Sequence, residues 1–302
     1  MKNKYCKMEA ADEMKEKIGI IDVGGGMRGI YGAGVFDYLL DKNIEIPYCA
    51  GVSAGSANVA SYVGKQKGRN KVFYEEYSFE KDYMSFHNWI HSGSYIGLEY
   101  IYGTLSNSGG KYPWDFETAM ASNQELMIVA TDANEANPFY FYKKDYVKND
   151  YGMFKASSCI PIVCKPYHWK GRDFFDGALT DPIPYEKAFE DGCTKVIVVL
   201  TRPTDFRKHT SDREASFYKK LKKNYPNMIE KMYARNDLYN TQLDKLFEKY
   251  LPEGKAFVIG PDDVCNVDTL KKNKENLDRL YQKGYKDGEK IENFLKENDI
   301  LN

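Results

Sequence analysis

The chain has 302 residues, 43 of them basic and 44 acidic, for a net charge of −1, and 42% are hydrophobic. That length can bury a substantial core, in one large α/β domain or two smaller ones. The near-neutral balance argues against strong attraction to nucleic acid or to an anionic membrane, so no nucleic-acid partner is expected.

Met1 to Lys17 alternates Lys and Glu without an apolar core, so no signal peptide is expected. No apolar run reaches the ~18 residues of a membrane-crossing helix, and a cytoplasmic protein is the expectation. Cys6, Cys49, Cys159, Cys164, Cys193 and Cys265 lack C-x-x-C spacing and read as reduced, buried small hydrophobes. The 25 tyrosines and 16 phenylalanines are many; most read as core or rim residues, and some could line an apolar acyl site.

In chain order, Lys17 to Val23 is a β-rich run stopped by Gly24-Gly25-Gly26, and Ile30 to Leu40 has helical spacing. Ile44–Ala50 predicts a second strand, and Ser56 to Lys65 the helix behind it. Asn70 to Tyr112 is aromatic-rich and irregular, a cap or wall over a site; Tyr95, Tyr100, Tyr102, Tyr112 and Trp114 are candidates for an acyl groove or for plain core packing. Leu126 to Thr131 is a buried strand, with Phe139 to Tyr142 as its partner after a turn at Asn137-Pro138. Asp173 to Gly177 resembles a strand ending in a tight turn, and Lys195 to Thr201 a parallel-type strand. Helical patterns run from Asp212 to Tyr250, Ala256 to Ile259 forms a last strand, and a charged amphipathic helix follows from Val267 to Leu295. Strands alternating with helices predict an α/β fold, a sandwich with a mainly parallel sheet, and no composition break argues for a second domain.

Gly51-Val52-Ser53-Ala54-Gly55 is a G-x-S-x-G pattern after a strand, the pattern of a nucleophile elbow. A side chain at Gly51 or Gly55 would collide with a neighbouring strand or helix. Gly24-Gly25-Gly26-Met27-Arg28-Gly29 admits two readings. A dinucleotide loop needs an acid at the end of the second strand, whereas Glu45 begins its strand. A P-loop is excluded because no Lys-Ser/Thr follows. The other reading is an oxyanion hole, in which bare backbone N–H groups converge at a helix N-terminus. Arg28 at that terminus is unfavourable for the helix dipole, which favours loop support or contact with a substrate carboxylate or phosphate.

A serine nucleophile needs a base. His87, His91, His168 and His209 are the four histidines; only His209 follows the acidic candidates, in a charged stretch that reads as a solvated loop. His168, beside Trp169, reads as a strand or hairpin residue. Asp176-Gly177-Ala178 offers a carboxylate with nothing bulky beside it, able to take the hydroxyl proton directly in a desolvated pocket. The other meaning of Asp-Gly is a plain turn.

The glycine loop, the elbow and Asp-Gly-Ala occur in one order, with Ala156-Ser157-Ser158-Cys159-Ile160-Pro161 between the last two. This combination resembles the patatin-like phospholipase family of lipid acyl hydrolases over residues 17 to 202. The resemblance implies a patatin-like three-layer α/β/α catalytic core at 17–202; the tail at 203–302 carries no recognised motif and reads from its helical patterns as a mainly helical extension packed on the same domain. It also implies a Ser–Asp dyad with Ser53 as nucleophile and Asp176 as base. The backbone of Gly24, Gly25 and Gly26 would form the oxyanion hole, with Arg28 supporting the loop and Gly29, Gly51, Gly55 and Gly177 completing the motifs. One departure is visible: members usually carry an acid directly before the three glycines, and here Val23 fills that place with Asp22 one earlier.

The resemblance implies ester hydrolysis of a lipid or small ester, with no metal or organic cofactor. A lipid- or acyl-binding protein with little turnover, or a nucleotide-binding module, are the competing classes. Lys219 to Lys223 reads as a solvated helix face or as a transient contact with anionic head groups at a membrane surface. No motif speaks to oligomeric state.

Overall fold

Alternation of side chains along the strands divides the apolar residues between two cores. The computed structural model describes residues 16–209 and 224–301. Its strands are β1 (Ile18–Asp22), β2 (Tyr48–Val52), β3 (Glu125–Asp132), β4 (Asn137–Tyr142), β5 (Tyr167–Trp169), β6 (Arg172–Asp176), β7 (Lys195–Val199) and β8 (Ala256–Ile259). The helices are α1 (Ile30–Asp41), α2 (Ala54–Val63), α3 (Arg69–Glu75), α4 (Phe86–Ser92), α5 (Phe116–Ala121), α6 (Gly152–Ser157), α7 (Tyr185–Glu190), α8 (Pro226–Lys245) and α9 (Lys274–Glu297).

The sheet order is β5-β6-β3-β2-β1-β7-β8, with β4 also paired to β3. β3, β2, β1, β7 and β8 are mutually parallel, and β4, β5 and β6 join by antiparallel pairing. Ile20, Cys49, Ile128 and Ile197 face one core, which α1, α2, α6 and α9 cover. Ile21, Ala50, Val129 and Val198 face the other, under α7 and the later part of α8. This is the expected three-layer α/β/α architecture.

Three boundaries differ from the sequence expectation. β2 runs from Tyr48 to Val52 instead of Ile44 to Ala50, because Pro47 has no N–H to give to a ladder. Pro138 lies inside β4, and the turn falls earlier, where Asp132 Oδ1 accepts the N–H groups of Asn134 (2.9 Å) and Glu135 (3.0 Å). Among the described residues β4 pairs only with β3, and such an edge strand tolerates proline. The last helix begins at Lys274 after Asn273, whose side chain caps the Asn276 N–H at 3.0 Å. Cys6, Lys219 to Lys223 and the first part of the helical pattern from Asp212 lie outside the described residues.

One edge of β3 holds two strands end to end. Val52, the last residue of β2, lies opposite Val129, and Asp176, the last residue of β6, lies opposite Ala130. Since β2 runs parallel to β3 and β6 antiparallel, their carboxyl ends meet. The C-terminal segment is fastened to α1: Gly284 passes so close that a Cβ there would lie 1.9 Å from the Tyr31 carbonyl oxygen, and Tyr281 donates to Asp37 at 2.8 Å. Among the described residues no helix is long and apolar enough to cross a membrane.

Candidate active site

Where β2 and β6 meet, a cavity of about 180 Å³ opens. Gly24, Gly25, Gly26, Arg28, Ser53 and Asp176 all line it. Ser53 sits between β2 and α2 with φ 55° and ψ −128°, a conformation that a residue with a side chain adopts only under strain and that turns its hydroxyl out of the sheet. The surroundings hold it there. Its N–H donates to Ser157 Oγ at 2.8 Å, and its carbonyl accepts the Ser56 N–H at 3.0 Å and the Ser56 hydroxyl at 2.6 Å. The elbow has no room for larger residues: a Cβ at Gly51 would lie 2.6 Å from Ser56 Cα, and one at Gly55 would lie 2.3 Å from the Asp22 carbonyl oxygen.

Ser53 and Asp176 line the same cavity, and the Asp176 carboxylate accepts the Ala178 N–H at 2.9 Å. Burial pushes the Asp176 carboxyl up to about 6, against the opposing pull of the Ser53 hydroxyl, the Ala178 N–H and the Lys208 and Arg235 charges. Asp176 is fixed from behind as well. Its N–H donates to the Cys159 carbonyl at 2.9 Å, and its carbonyl accepts the Thr131 hydroxyl at 2.9 Å. The 156–161 segment thus binds both residues, Ser157 holding Ser53 and Cys159 holding Asp176.

The glycine loop is shaped by Asp22. That carboxylate is fully buried, accepts the Gly24 N–H and the Asn58 side-chain amide at 2.8 Å each, and is raised by burial to about 6. An acid one place earlier than the family pattern therefore still reaches the loop. The Gly24 N–H, expected in the oxyanion hole, is thus turned to the Asp22 carboxylate. The N–H groups of Gly25 and Gly26 take no hydrogen-bond partner among the described residues. The Gly24 carbonyl accepts the Thr201 hydroxyl. Arg28 Nη1 donates to Asp268 at 3.0 Å and to Thr269 Oγ1 at 3.1 Å, while the Met27 N–H donates to the Thr269 carbonyl at 3.0 Å. Burial, followed by the nearby Arg202 charge, lowers the Arg28 guanidinium to about 10.

A second, apolar cavity of about 70 Å³ adjoins the first and shares Gly26, Ser53, Ile160 and Thr269 with it. Met27, Ala57, Phe73, Tyr74, Met84 and Ile101 furnish much of its wall. Of the five aromatic candidates only Tyr102 lines it, with its hydroxyl 3.1 Å from Ser158 Oγ. Trp114 donates to the Ala60 carbonyl at 2.9 Å, Tyr112 packs on Phe73, Tyr95 on Phe86, and Tyr100 bonds Glu80. These four serve packing.

None of the histidines lines either cavity. His87 and His91 stack on each other on α4, His168 pairs with Asp173 at 2.8 Å in the β5–β6 hairpin, and His209 is exposed. Glu45 pairs with Lys65 at 2.7 Å before β2 begins, away from the glycine loop at the strands' carboxyl ends, so a ribose contact is denied it. Sequence reasoning missed Asp22 and Asn58 under the loop, and Arg202, Lys208, Arg235 and Thr269 on the cavity wall.

Residues 23–189 match the family model described as patatin-like phospholipase, and residues 225–298 match a domain of unknown function, DUF6363. The uncharacterized Escherichia coli K12 protein YjjU is 24% identical over 193 residues, which are 62% of this chain and 53% of that protein. The chain thus spans about half the length of this curated relative. The crystal structure of VipD from Legionella pneumophila aligns with a TM-score of 0.46 and 12% identity, covering 91% of this chain and 66% of that one. With more than half of its length inside the first of these family models, the chain belongs to the patatin-like phospholipase family.

Proposed function

We propose that this protein hydrolyses carboxylic ester bonds of lipids through a Ser53–Asp176 dyad. The observation that carries the reading is that Ser53, at the apex of a strained turn, and the buried Asp176 carboxylate line one cavity where the carboxyl ends of β2 and β6 meet. Asp176 takes the hydroxyl proton as Ser53 Oγ bonds to the ester carbonyl carbon. The carbonyl oxygen becomes an oxyanion facing the Gly25 and Gly26 N–H groups, donors of a kind whose individual loss typically costs roughly 10²–10³ in rate. Collapse breaks the bond to the alcohol, which leaves with the proton from Asp176. Water then attacks the acyl-Ser53 carbonyl, giving its proton to Asp176, and the free acid departs as Ser53 regains its hydrogen. The apolar cavity beside Ser53 supports an acyl chain as the group transferred.

The reading places the protein in the cytoplasm with transient contact to a lipid surface. Support for that contact comes from α4, where Phe86 and Ile90 are each 78% exposed and Trp89 39%. α4 rises from a bridge between Met84 and Ile96, both of which line the apolar cavity.

Ser53→Ala and Asp176→Asn should each abolish turnover of a short p-nitrophenyl ester while thermal melting stays cooperative. A fluorophosphonate probe should label the wild-type serine. Full activity in either variant overturns the dyad.

A further inference from the structure

The apolar cavity beside Ser53 carries a buried cation without a counter-ion. Arg69 is 4% exposed and forms no ion pair among the described residues, and no acidic side chain among them lines this cavity. Its guanidinium finds only neutral acceptors. Nη1 donates to the Ser61 hydroxyl at 3.3 Å, and Nη2 donates to the Ser106 hydroxyl at 2.8 Å and the Tyr112 carbonyl at 3.2 Å. Nε has no acceptor. The guanidinium carbon lies 4.4 Å from the ring centroid of Phe73, which also lines the cavity.

Other donors gather on the same lining. Asn70 is 7% exposed; its Oδ1 accepts the Ser61 hydroxyl at 3.0 Å, while its Nδ2 has no acceptor among the described residues. The Tyr83 hydroxyl has none either, and burial raises that phenol, so it keeps its proton at neutral pH. Burial lowers the Arg69 guanidinium to about 10, opposed by the phenols of Tyr102, Tyr112, Tyr151 and Tyr83, so the cation persists. A charge withdrawn from water is costly unless an opposite charge meets it, and buried donors without acceptors add to that cost. Ser53 lines both cavities, whereas Arg69, Asn70 and Tyr83 line the apolar one alone. An acyl chain that starts at Ser53 and fills the apolar cavity therefore meets these donors beyond its carbonyl end.

We infer that Arg69, with Asn70 and Tyr83, forms a carboxylate subsite in the acyl cavity, and that the preferred acyl group ends in a carboxylate. The matching substrates are half-esters of aliphatic dicarboxylic acids. Their methylenes lie along Phe73, Met84 and Ile101, and their far carboxylate supplies Arg69 with its missing counter-ion through charge-assisted hydrogen bonds. A plain acyl chain fills the cavity and leaves the guanidinium without an anion. Selection thus acts against the neutral chain end as well as for the charged one. Cleavage of such an ester at Ser53 rests on the ester-hydrolase reading; the carboxylate subsite itself does not.

The test compares kcat/KM of the full chain on the mono-4-nitrophenyl esters of adipic, suberic and sebacic acid with the methyl-capped diesters of the same lengths. At one length or more the wild type should favour the free carboxylate by about tenfold, the scale of a hydrogen bond to a charged group. Arg69→Met should bring that ratio near one, and Arg69→Lys should keep part of it. Ratios near one at every length in the wild type overturn the inference without any variant. An unchanged ratio in a folded Arg69→Met protein overturns it too. The 4-nitrophenyl ester of 8-hydroxyoctanoic acid is the neutral polar control; a rate equal to that of the suberate half-ester assigns the site to a hydroxyl and sinks the carboxylate. Calorimetry on the Ser53→Ala protein separates recognition from chemistry, and monomethyl suberate should bind about tenfold more tightly than dimethyl suberate. That preference without hydrolysis of any ester sinks the dyad and leaves the subsite standing. Hydrolysis without the preference sinks the subsite and leaves the dyad. Octanoate that binds through Arg69, with no preference among the esters, assigns the site to free fatty acid and overturns the acyl role.

Discussion

Val52 and Asp176 lie opposite consecutive residues of one strand, Val129 and Ala130, on the same edge of β3. The spacing of the candidate nucleophile and base therefore comes from the pleat of a strand that is buried from Leu126 to Asp132. Gly177 keeps that approach open, since a Cβ there would lie 2.4 Å from the Val129 carbonyl oxygen. Gly177→Ala should cost about 1–3 kcal/mol of stability through this overpacking. It should also lower kcat by roughly 10²-fold, the cost of an ångström-scale misplacement. Denaturant melts and ester kinetics on the same preparation measure both.

Ester hydrolysis should rise with pH through about 6 and then level off. Asp176 must be ionised to accept the Ser53 proton, and burial raises its carboxyl to about 6. Lys208 and Arg235 both pull that value down. Replacing Lys208 with Gln should move the acidic limb of the kcat/KM profile upward. A limb that stays in place or moves downward would remove Lys208 from the electrostatics of Asp176.

Asp22 should make the fold weaker as pH rises. Its carboxyl is raised from 3.8 to about 6, so the folded chain holds the proton more tightly than the unfolded one. That contribution is fully present below pH about 4 and is lost as pH climbs through about 6, a difference of about 3 kcal/mol. Asp22→Asn carries no titrating group, so the difference in unfolding free energy between variant and wild type should shift in favour of the variant from pH 4 to 7. Urea melts across that range decide it; a pH-independent difference would show that Asp22 titrates alike in both states.

Phe86→Ser with Ile90→Ser should lower hydrolysis of a vesicle-borne ester several-fold more than that of a soluble short-chain ester. Each removes a side chain that is 78% exposed, so thermal stability should change by no more than about 0.5 kcal/mol. Equal effects on both substrates would take α4 out of the encounter with lipid.

The parts of the site written in short local patterns were legible in the sequence. Gly51 to Gly55 announces a strained turn because only small residues fit beside Ser53, and Asp176-Gly177-Ala178 leaves a carboxylate uncrowded. Pairing these segments needed the family pattern, because their meeting at β3 depends on register, which no single strand records. The bond from the Gly24 N–H to Asp22 was not foreseen, since that acid lies two residues back and looked like a departure from the pattern. The cations on the first cavity's wall were invisible: Arg202 and Lys208 come from a loop and Arg235 from a helix turn, with no shared spacing. Pro47 and Pro138 show the limit for strand ends, where a missing N–H matters on one edge and not on another.

The glycine loop leans on residues synthesised long after it. Met27 and Arg28 are tied to Thr269 and Asp268, and Gly284 must press against Tyr31 for α9 to seat on α1. A chain emerging from the ribosome makes Ser53 early, but the cavity around it has no complete wall until Thr269 has followed. Order of synthesis thus withholds the finished pocket from the nascent protein, and a chain cut short before that threonine would carry its serine without the surroundings described here.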